Sequence, residues 1–142
     1  MNWKELATTS HYQTAVAVRQ SLLDGNMEEM QTGIEELIDA LGRSEKRALR
    51  SQLIRLMMHI IKWKIEPQRR SRSWLATIEN ARVEIDAILE DEPSLKRRIP
   101  ELWEKCFKSA LRVAEKETGI RPGVEGLSRK EVFEDEYSLP RK

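Results

Sequence analysis

The sequence predicts an all-α protein, an up-down bundle of four to five helices with an irregular C-terminal tail that carries one short helix. Three observations lead there. Apolar residues recur at intervals of three and four along most of the chain, the period of an amphipathic helix rather than the alternation of a half-buried strand. Charged residues make up 35% of the 142 positions and hydrophobic ones 39%, a charge content above the roughly 25% of an ordinary globular chain and suited to long helices with solvated outer faces. The segments between periodic stretches are short, which favours neighbouring helices packed antiparallel. A chain of this length fits one domain, so a single helical domain is expected over residues 1–142, with its core at about 11–119 and a tail at 120–142.

The first helix is expected from near Tyr12 to Leu23, with Tyr12, Ala15, Val16 and Leu22 inward, and Asp24-Gly25-Asn26 supplies the turn that ends it. A second runs from about Met27 to Leu41 on a seam of Met30, Ile34, Leu37, Ile38 and Leu41. Gly42 suits its left-handed C-terminal cap. Ser44 then caps a third helix, which reaches Ile65. Leu49, Leu53, Leu56, Ile60 and Trp63 fall on one line of it and Ile54, Met57, Ile61 and Ile65 on the next, an apolar arc wide enough for a central helix. Pro67 disfavours helical geometry at Glu66, so Glu66 to Ser73 reads as a loop. Ser73 can cap a fourth helix with the seam Trp74, Ile78, Ala81, Ile85, Ile88 and Leu89, and Glu92-Pro93 ends it. The last long helix carries Leu95, Ile99, Leu102, Trp103, Cys106, Phe107, Ala110, Leu111 and Ala114 inward. Pro100 either kinks it or marks its true start, which leaves Ser94 to Arg98 as a separate turn, and Gly119 closes it. In the tail, Ser128-Arg129-Lys130-Glu131 has capping-box spacing and predicts a short helix through Phe133.

The net charge of +1 is unevenly spread. Residues 1–42 hold two Lys/Arg against seven Asp/Glu, a net of −5; residues 43–74 hold ten against two, a net of +8; residues 75–142 hold thirteen against fifteen, a net of −2. The basic middle either neutralises the acidic helix before it or faces outward toward a polyanion. The lone Cys106 excludes an intramolecular disulfide and a Cys-based metal cluster, which favours a reducing cytoplasm. No charged-then-apolar leader follows Met1, and no apolar run approaches the roughly 18 residues of a membrane span. A soluble, unprocessed, cytoplasmic protein without a membrane partner is therefore expected. No catalytic or cofactor motif stands out, and no cofactor is expected.

Five ordered stretches give the chain a family likeness: Leu41 to Leu49, His59-Ile60-Ile61-Lys62-Trp63, Arg70-Ser71-Arg72-Ser73-Trp74, Pro93-Ser94-Leu95-Lys96 and Ala114 to Gly119. Together they resemble domain-of-unknown-function family number 29, over roughly residues 11 to 139. The resemblance implies a bacterial, all-helical protein, of a kind especially common in cyanobacteria, and supplies no activity. Glu35, Glu36, His59, Arg70 and Trp74 match the family's pattern. His11-Tyr12 and Gln31 stand where family members usually carry an acidic, aromatic-rich first helix and an Asp opening the second, and the tail lacks a Cys-Pro often seen there. Any site built on those carboxylates is in doubt for this chain.

Three chemistries follow from the residues themselves. The basic loop 68–73 offers the forks of Arg69, Arg70 and Arg72, serine hydroxyls and the free N–H groups of a helix start, all suited to phosphate or carboxylate, with Trp74 as a stacking surface. On this reading the chain is a small helical binding module for an anionic partner, nucleic acid or an acidic protein surface. The bland alternative pairs Arg70 with Glu35, Glu36 or Asp39 and leaves Arg69 and Arg72 solvated. His59 and Trp63 share a helical face and form either a recognition platform or an anchor between two helices; the same choice applies to Trp74 and Trp103. The catalytic alternative brings Glu35 and Glu36 of the second helix to His59 of the third, as a nuclease or a metal-assisted hydrolase. No Glu-x-x-His or His-x-x-x-His pair supports a metal there, and a structural histidine competes with it. A homodimer whose charge blocks pair across a symmetric interface is the remaining alternative.

Overall fold

The structure, a computed structural model, describes residues 1–141; Lys142, the end of the expected tail, lies outside the described residues. It is all-α, with helices α1 (Trp3–Thr9), α2 (His11–Leu23), α3 (Met27–Ile65), α4 (Arg72–Asp91), α5 (Ile99–Thr118) and α6 (Arg129–Phe133), and 3-10 turns at Pro67–Arg69 and Pro93–Arg98. No helix among the described residues is long and apolar enough to cross a membrane. Two compact units divide the chain, Met1–Arg47 and Ala48–Lys142.

The long α3 replaces the two helices expected at Met27–Leu41 and Ser44–Ile65. Gly42 does not take the left-handed conformation, since among the described residues only Gly25 and Gly119 have positive φ. A glycine inside a helix costs only about 1 kcal/mol relative to alanine. The flanking Arg43, Glu45, Lys46, Arg47 and Ala48 are helix formers that carry the helix through it. Gly25 (φ 72°) does turn the chain after α2, and the Asn26 side chain then accepts the Glu29 N–H at 3.2 Å to start α3.

In the first unit, α1 is a helix that the periodicity of seven residues was too short to announce. Asn2 caps it by accepting the Glu5 N–H, and Ser10 caps α2 by accepting that of Gln13. Trp3 is buried and lies on Gly33 of α3. A Cβ at Gly33 would sit 2.7 Å from a Trp3 ring carbon and 2.8 Å from a Val18 methyl. The Trp3 indole N–H donates to the Glu29 carboxylate at 2.6 Å. This wedge sets which faces turn inward, and it corrects the expected seams. Thr14 is the buried residue of α2, its hydroxyl donating to the Ser10 carbonyl, whereas Tyr12, Ala15 and Leu22 are exposed. Gly33 and Ala40 are the buried positions on this part of α3, whereas Ile34, Ile38 and Leu41 are exposed.

The second unit follows the sequence closely. Leu49, Leu53, Leu56, Met57, Ile60 and Ile61 are fully buried, and Ile78, Ala81 and Ile85 of α4 and Cys106, Phe107, Ala110 and Ala114 of α5 complete the core. Burying each large aliphatic side chain contributes about 1.5–3 kcal/mol. Pro100 falls in the first turn of α5, where its missing N–H has no helical partner to lose. The Pro93–Arg98 turn stands before it, as one of the two readings of Pro100 required. Gly119 (φ 71°) caps α5, and Ser128 and Glu131 form the expected capping box.

The tail is irregular apart from α6, as expected, and it packs onto the core. Leu127 and Val132 are buried, and Tyr137 and Leu139 pack beside them. Arg82 of α4 donates to the Val132 carbonyl at 2.9 Å and the Glu131 carbonyl at 3.2 Å. The Trp103 indole donates to the Leu127 carbonyl at 3.1 Å, and Lys64 pairs with Glu131. The Tyr137 hydroxyl donates to the Glu131 carbonyl at 2.7 Å, and its ring meets that of Trp63 edge-on at 5.8 Å. Burial pushes the Tyr137 phenol up to about 12.

Candidate anion-binding surface

The segment between α3 and α4 is shorter than the loop expected at Glu66 to Ser73. Pro67 starts a 3-10 turn through Arg69, and Ser71, not Ser73, caps α4. Ser71 is extended (φ −143°, ψ 164°) and its hydroxyl accepts the Trp74 N–H at 3.2 Å. Either serine has the chemistry of a cap; the turn ends early enough for the first to act. Arg72 thus becomes the first residue of α4, and Ser73 lies inside the helix.

The three arginines have different surroundings. The Arg70 Nε donates to the Trp63 carbonyl at 2.8 Å while its guanidinium lies over the Trp63 ring at 4.8 Å. It braces the end of α3, where the last carbonyls lack helical partners. Arg69 pairs with Glu66 at 3.4 Å; the Arg69 side chain is 74% exposed and the Glu66 side chain 8%, so the guanidinium covers a buried carboxylate with part of its donor fork and leaves the rest in water. Arg72 is exposed and makes no hydrogen bond or ion pair among the described residues. It stands at the positive end of the α4 dipole, where no acidic residue occupies the first turn.

Trp63 is buried and Trp74 half-buried. Lys62 stands over the Trp74 ring at 4.8 Å and bonds the Glu117 carboxylate at 2.8 Å. One face of Trp74 is therefore occupied, which limits it as a stacking surface. Trp103 hydrogen-bonds the tail and lies within 5.9 Å of Phe133, an anchoring arrangement.

His59 lies beside this group, with Nδ1 3.0 Å from the Arg55 carbonyl. A carbonyl only accepts, so in the neutral ring Nδ1 carries the proton and Nε2 is the free acceptor. Burial lowers the His59 pKa below its usual 6.5, and the positive charge of Lys62 adds to the effect; the bond to the Arg55 carbonyl acts the other way. With a folded pKa below the unfolded one, the unfolded chain takes up the proton first as pH falls. The stability from neutral His59 is thus complete above pH 6.5 and declines below it, until the folded ring is protonated too. An NMR titration should place the His59 midpoint below 6.5; a midpoint at or above that value would show that burial does not govern the ring.

Glu35 and Glu36 lie on the same unbroken helix as His59, not on a helix antiparallel to it. Glu35 accepts from Gln31 of its own turn at 3.4 Å. No group of three His, Cys, Asp or Glu side chains suited to a metal ion converges among the described residues. The expected facing-helix geometry depended on a turn at Gly42 that the chain does not make. Cys106 is buried, with its Sγ 3.9 Å from the Arg50 carbonyl, and burial pushes its thiol up.

A cleft of about 550 Å³ that sequence reasoning missed lies beside α4, the Pro93–Arg98 turn and α6. Ile85, Leu89, Ile99 and Phe133 form its apolar lining, with Asp86 and Lys96 among its charged groups. None of the candidate site residues Arg69, Arg70, Arg72, Trp74 and His59 lines it, although Ile85, Leu89 and Ile99 are expected core positions. Its members come from distant parts of the chain, and their spacing carries no signal.

The sequence model of the family described as "Domain of unknown function DUF29" matches residues 11–138. No curated protein and no solved structure matches the chain.

Proposed function

The chain belongs to the DUF29 family, whose description names no activity, and we propose from its own chemistry that it is a helical binding module for an anionic partner, read through Arg69 and Arg72. One observation carries this reading: Arg72 places an unneutralised guanidinium on the positive end of a helix, three residues after the exposed fork of Arg69. A cation there opposes the helix dipole, so stability gives no reason for it, whereas an anion gains from both the dipole and the forks. Arg70 is the brace that holds the segment, and Trp74, covered on one face by Lys62, contributes shape more than stacking. The ligand class that this chemistry fits is the phosphate backbone of a single-stranded nucleic acid. The setting proposed is a bacterial cytoplasm, supported by the single buried thiol and by the family resemblance.

The test is fluorescence anisotropy with a labelled single-stranded oligonucleotide. Arg69→Gln combined with Arg72→Glu should weaken binding by roughly tenfold or more, since two phosphate contacts are lost. Gln at 69 avoids setting a second carboxylate beside Glu66. Arg97→Glu, an exposed site in the Pro93–Arg98 turn, is the control for a charge reversal elsewhere and should leave affinity nearly unchanged. Equal losses in both variants would mean that overall charge, not this surface, holds the ligand. Tighter binding of polyglutamate than of the oligonucleotide would move the partner to an acidic protein surface.

A further inference from the structure

In the first unit, the end of α1, the start of α2 and one face of α3 border a pocket of about 250 Å³. Ala40, Arg43, Ser44 and Arg47 come from α3, at spacings that put them on one side of the helix. Ala7 and Ala40 are buried, and their small side chains leave the pocket its depth. His11 and Thr8 complete the wall. No carboxylate lines it. Arg43 and Arg47 are exposed and make no ion pair or hydrogen bond among the described residues, although Asp39 stands one turn before Arg43. Ser44 lies inside α3 instead of capping a helix, and its hydroxyl bonds nothing among the described residues. The Thr8 hydroxyl donates to the Lys4 carbonyl at 2.9 Å, which leaves its oxygen only as an acceptor.

We propose that this pocket binds the dianionic head of a phosphate monoester. Two guanidinium forks, an imidazole N–H and a serine hydroxyl supply donors for a tetrahedral oxyanion, and no lining carboxylate competes for them. Like charges one turn apart on a helix repel, so Arg43 and Arg47 oppose each other until an anion lies between them. Neither donates to a carbonyl at the end of α1. The ends of α1 and α2 meet at Ser10 with opposite dipole signs, so the side chains set the sign of the field here. A monoester carries close to two charges at neutral pH and matches the two arginines, whereas a diester carries one. The pocket also has room for a small group esterified to the phosphate. The site belongs to a different unit from Arg69 and Arg72 and does not rest on the reading of that surface.

Methyl phosphate added to the full chain should move the amide NMR signals of His11, Arg43, Ser44 and Arg47 most, and dimethyl phosphate should move them far less. Arg43→Gln combined with Arg47→Gln should weaken methyl phosphate binding by about tenfold or more, the loss expected from even one charge-assisted contact, with the far-ultraviolet helical signal retained. Two controls should leave binding nearly unchanged: Lys4→Gln with Lys46→Gln, exposed cations of the same unit that do not line the pocket, and Arg69→Gln with Arg72→Glu in the other unit. Co-sedimentation with phosphatidylcholine vesicles that carry phosphatidic acid, lost in the Arg43 and Arg47 variant, places the monoester on a lipid headgroup; binding of methyl phosphate without co-sedimentation places it on a soluble molecule. Absent shifts at these four residues overturn the proposal even if the arginine variant fails to fold. An equal loss in either control, or equal binding of the diester, overturns it too.

Discussion

Replacing Val132 by Asp is expected to cost more than about 4 kcal/mol, at the top of the range for a single substitution. Val132 is 0% exposed, and a carboxylate placed there loses its hydration, while the neighbouring cations Arg82 and Lys64 are already engaged by the Val132 and Glu131 carbonyls and the Glu131 carboxylate. The side chain belongs to a five-residue helix in what composition alone presents as a loose tail. Its burial is held from both sides, by the Arg82 bonds to the carbonyls of Val132 and Glu131 and by the ion pair of Lys64 with Glu131. Lys64, helped by the Ser128 N–H, also holds the Glu131 carboxyl below its usual range. That pair thus adds stability above the usual carboxylate range, which is lost as pH falls through the lowered value. Urea denaturation of Val132→Asp checks the claim. A cost below about 1 kcal/mol, the level of ordinary surface changes, would mean that the tail is an appendage and not part of the core.

Gly33→Leu should have the next largest effect, confined to the first unit. Even a Cβ at this position meets the Trp3 ring at 2.7 Å and a Val18 methyl at 2.8 Å; a rigid ring and a short branched side chain have little room to yield. Overpacking of this kind costs about 1–3 kcal/mol, offset in part by the roughly 1 kcal/mol by which glycine disfavours a helix. The cheapest relief is for α1 to lift away, which breaks the bond from Trp3 to Glu29. The Trp3 indole proton should then lose its hydrogen-bonded position in an NMR spectrum while the core signals of Leu53 and Ile60 stay in place. An unmoved indole resonance would contradict the wedge.

Most of the fold was legible where periodicity and stop signals were both long and strong. The seam from Leu49 to Trp63, the start of α5 at Pro100 and the capping box at Ser128 all follow from local chemistry, and the structure has them. Gly42 misled because a left-handed cap is an opportunity and not a command: Arg43 to Ala48 favour helix strongly enough to continue through it. The first unit's inward faces were unreadable for a different reason. Trp3 selects them through space, and a lone tryptophan near the start of the chain does not say which glycine it will cover. Docking of the tail is likewise non-local, since Arg82 bonds two backbone carbonyls, groups that every residue has. At the candidate surface, the residue types pointed to anion chemistry, but only the structure separates Arg70, the brace on Trp63, from Arg69 and Arg72, the exposed pair.

The most direct measurement of that surface is an amide NMR map recorded while a short single-stranded oligonucleotide is added to the unaltered protein. Largest shifts at Gln68 through Trp74, weakening with salt at a slope of about 1.4 in log–log form for two phosphate contacts, are the predicted result. Shifts gathered instead around Asp86 and Lys96 in the cleft, or none at any residue, would contradict it.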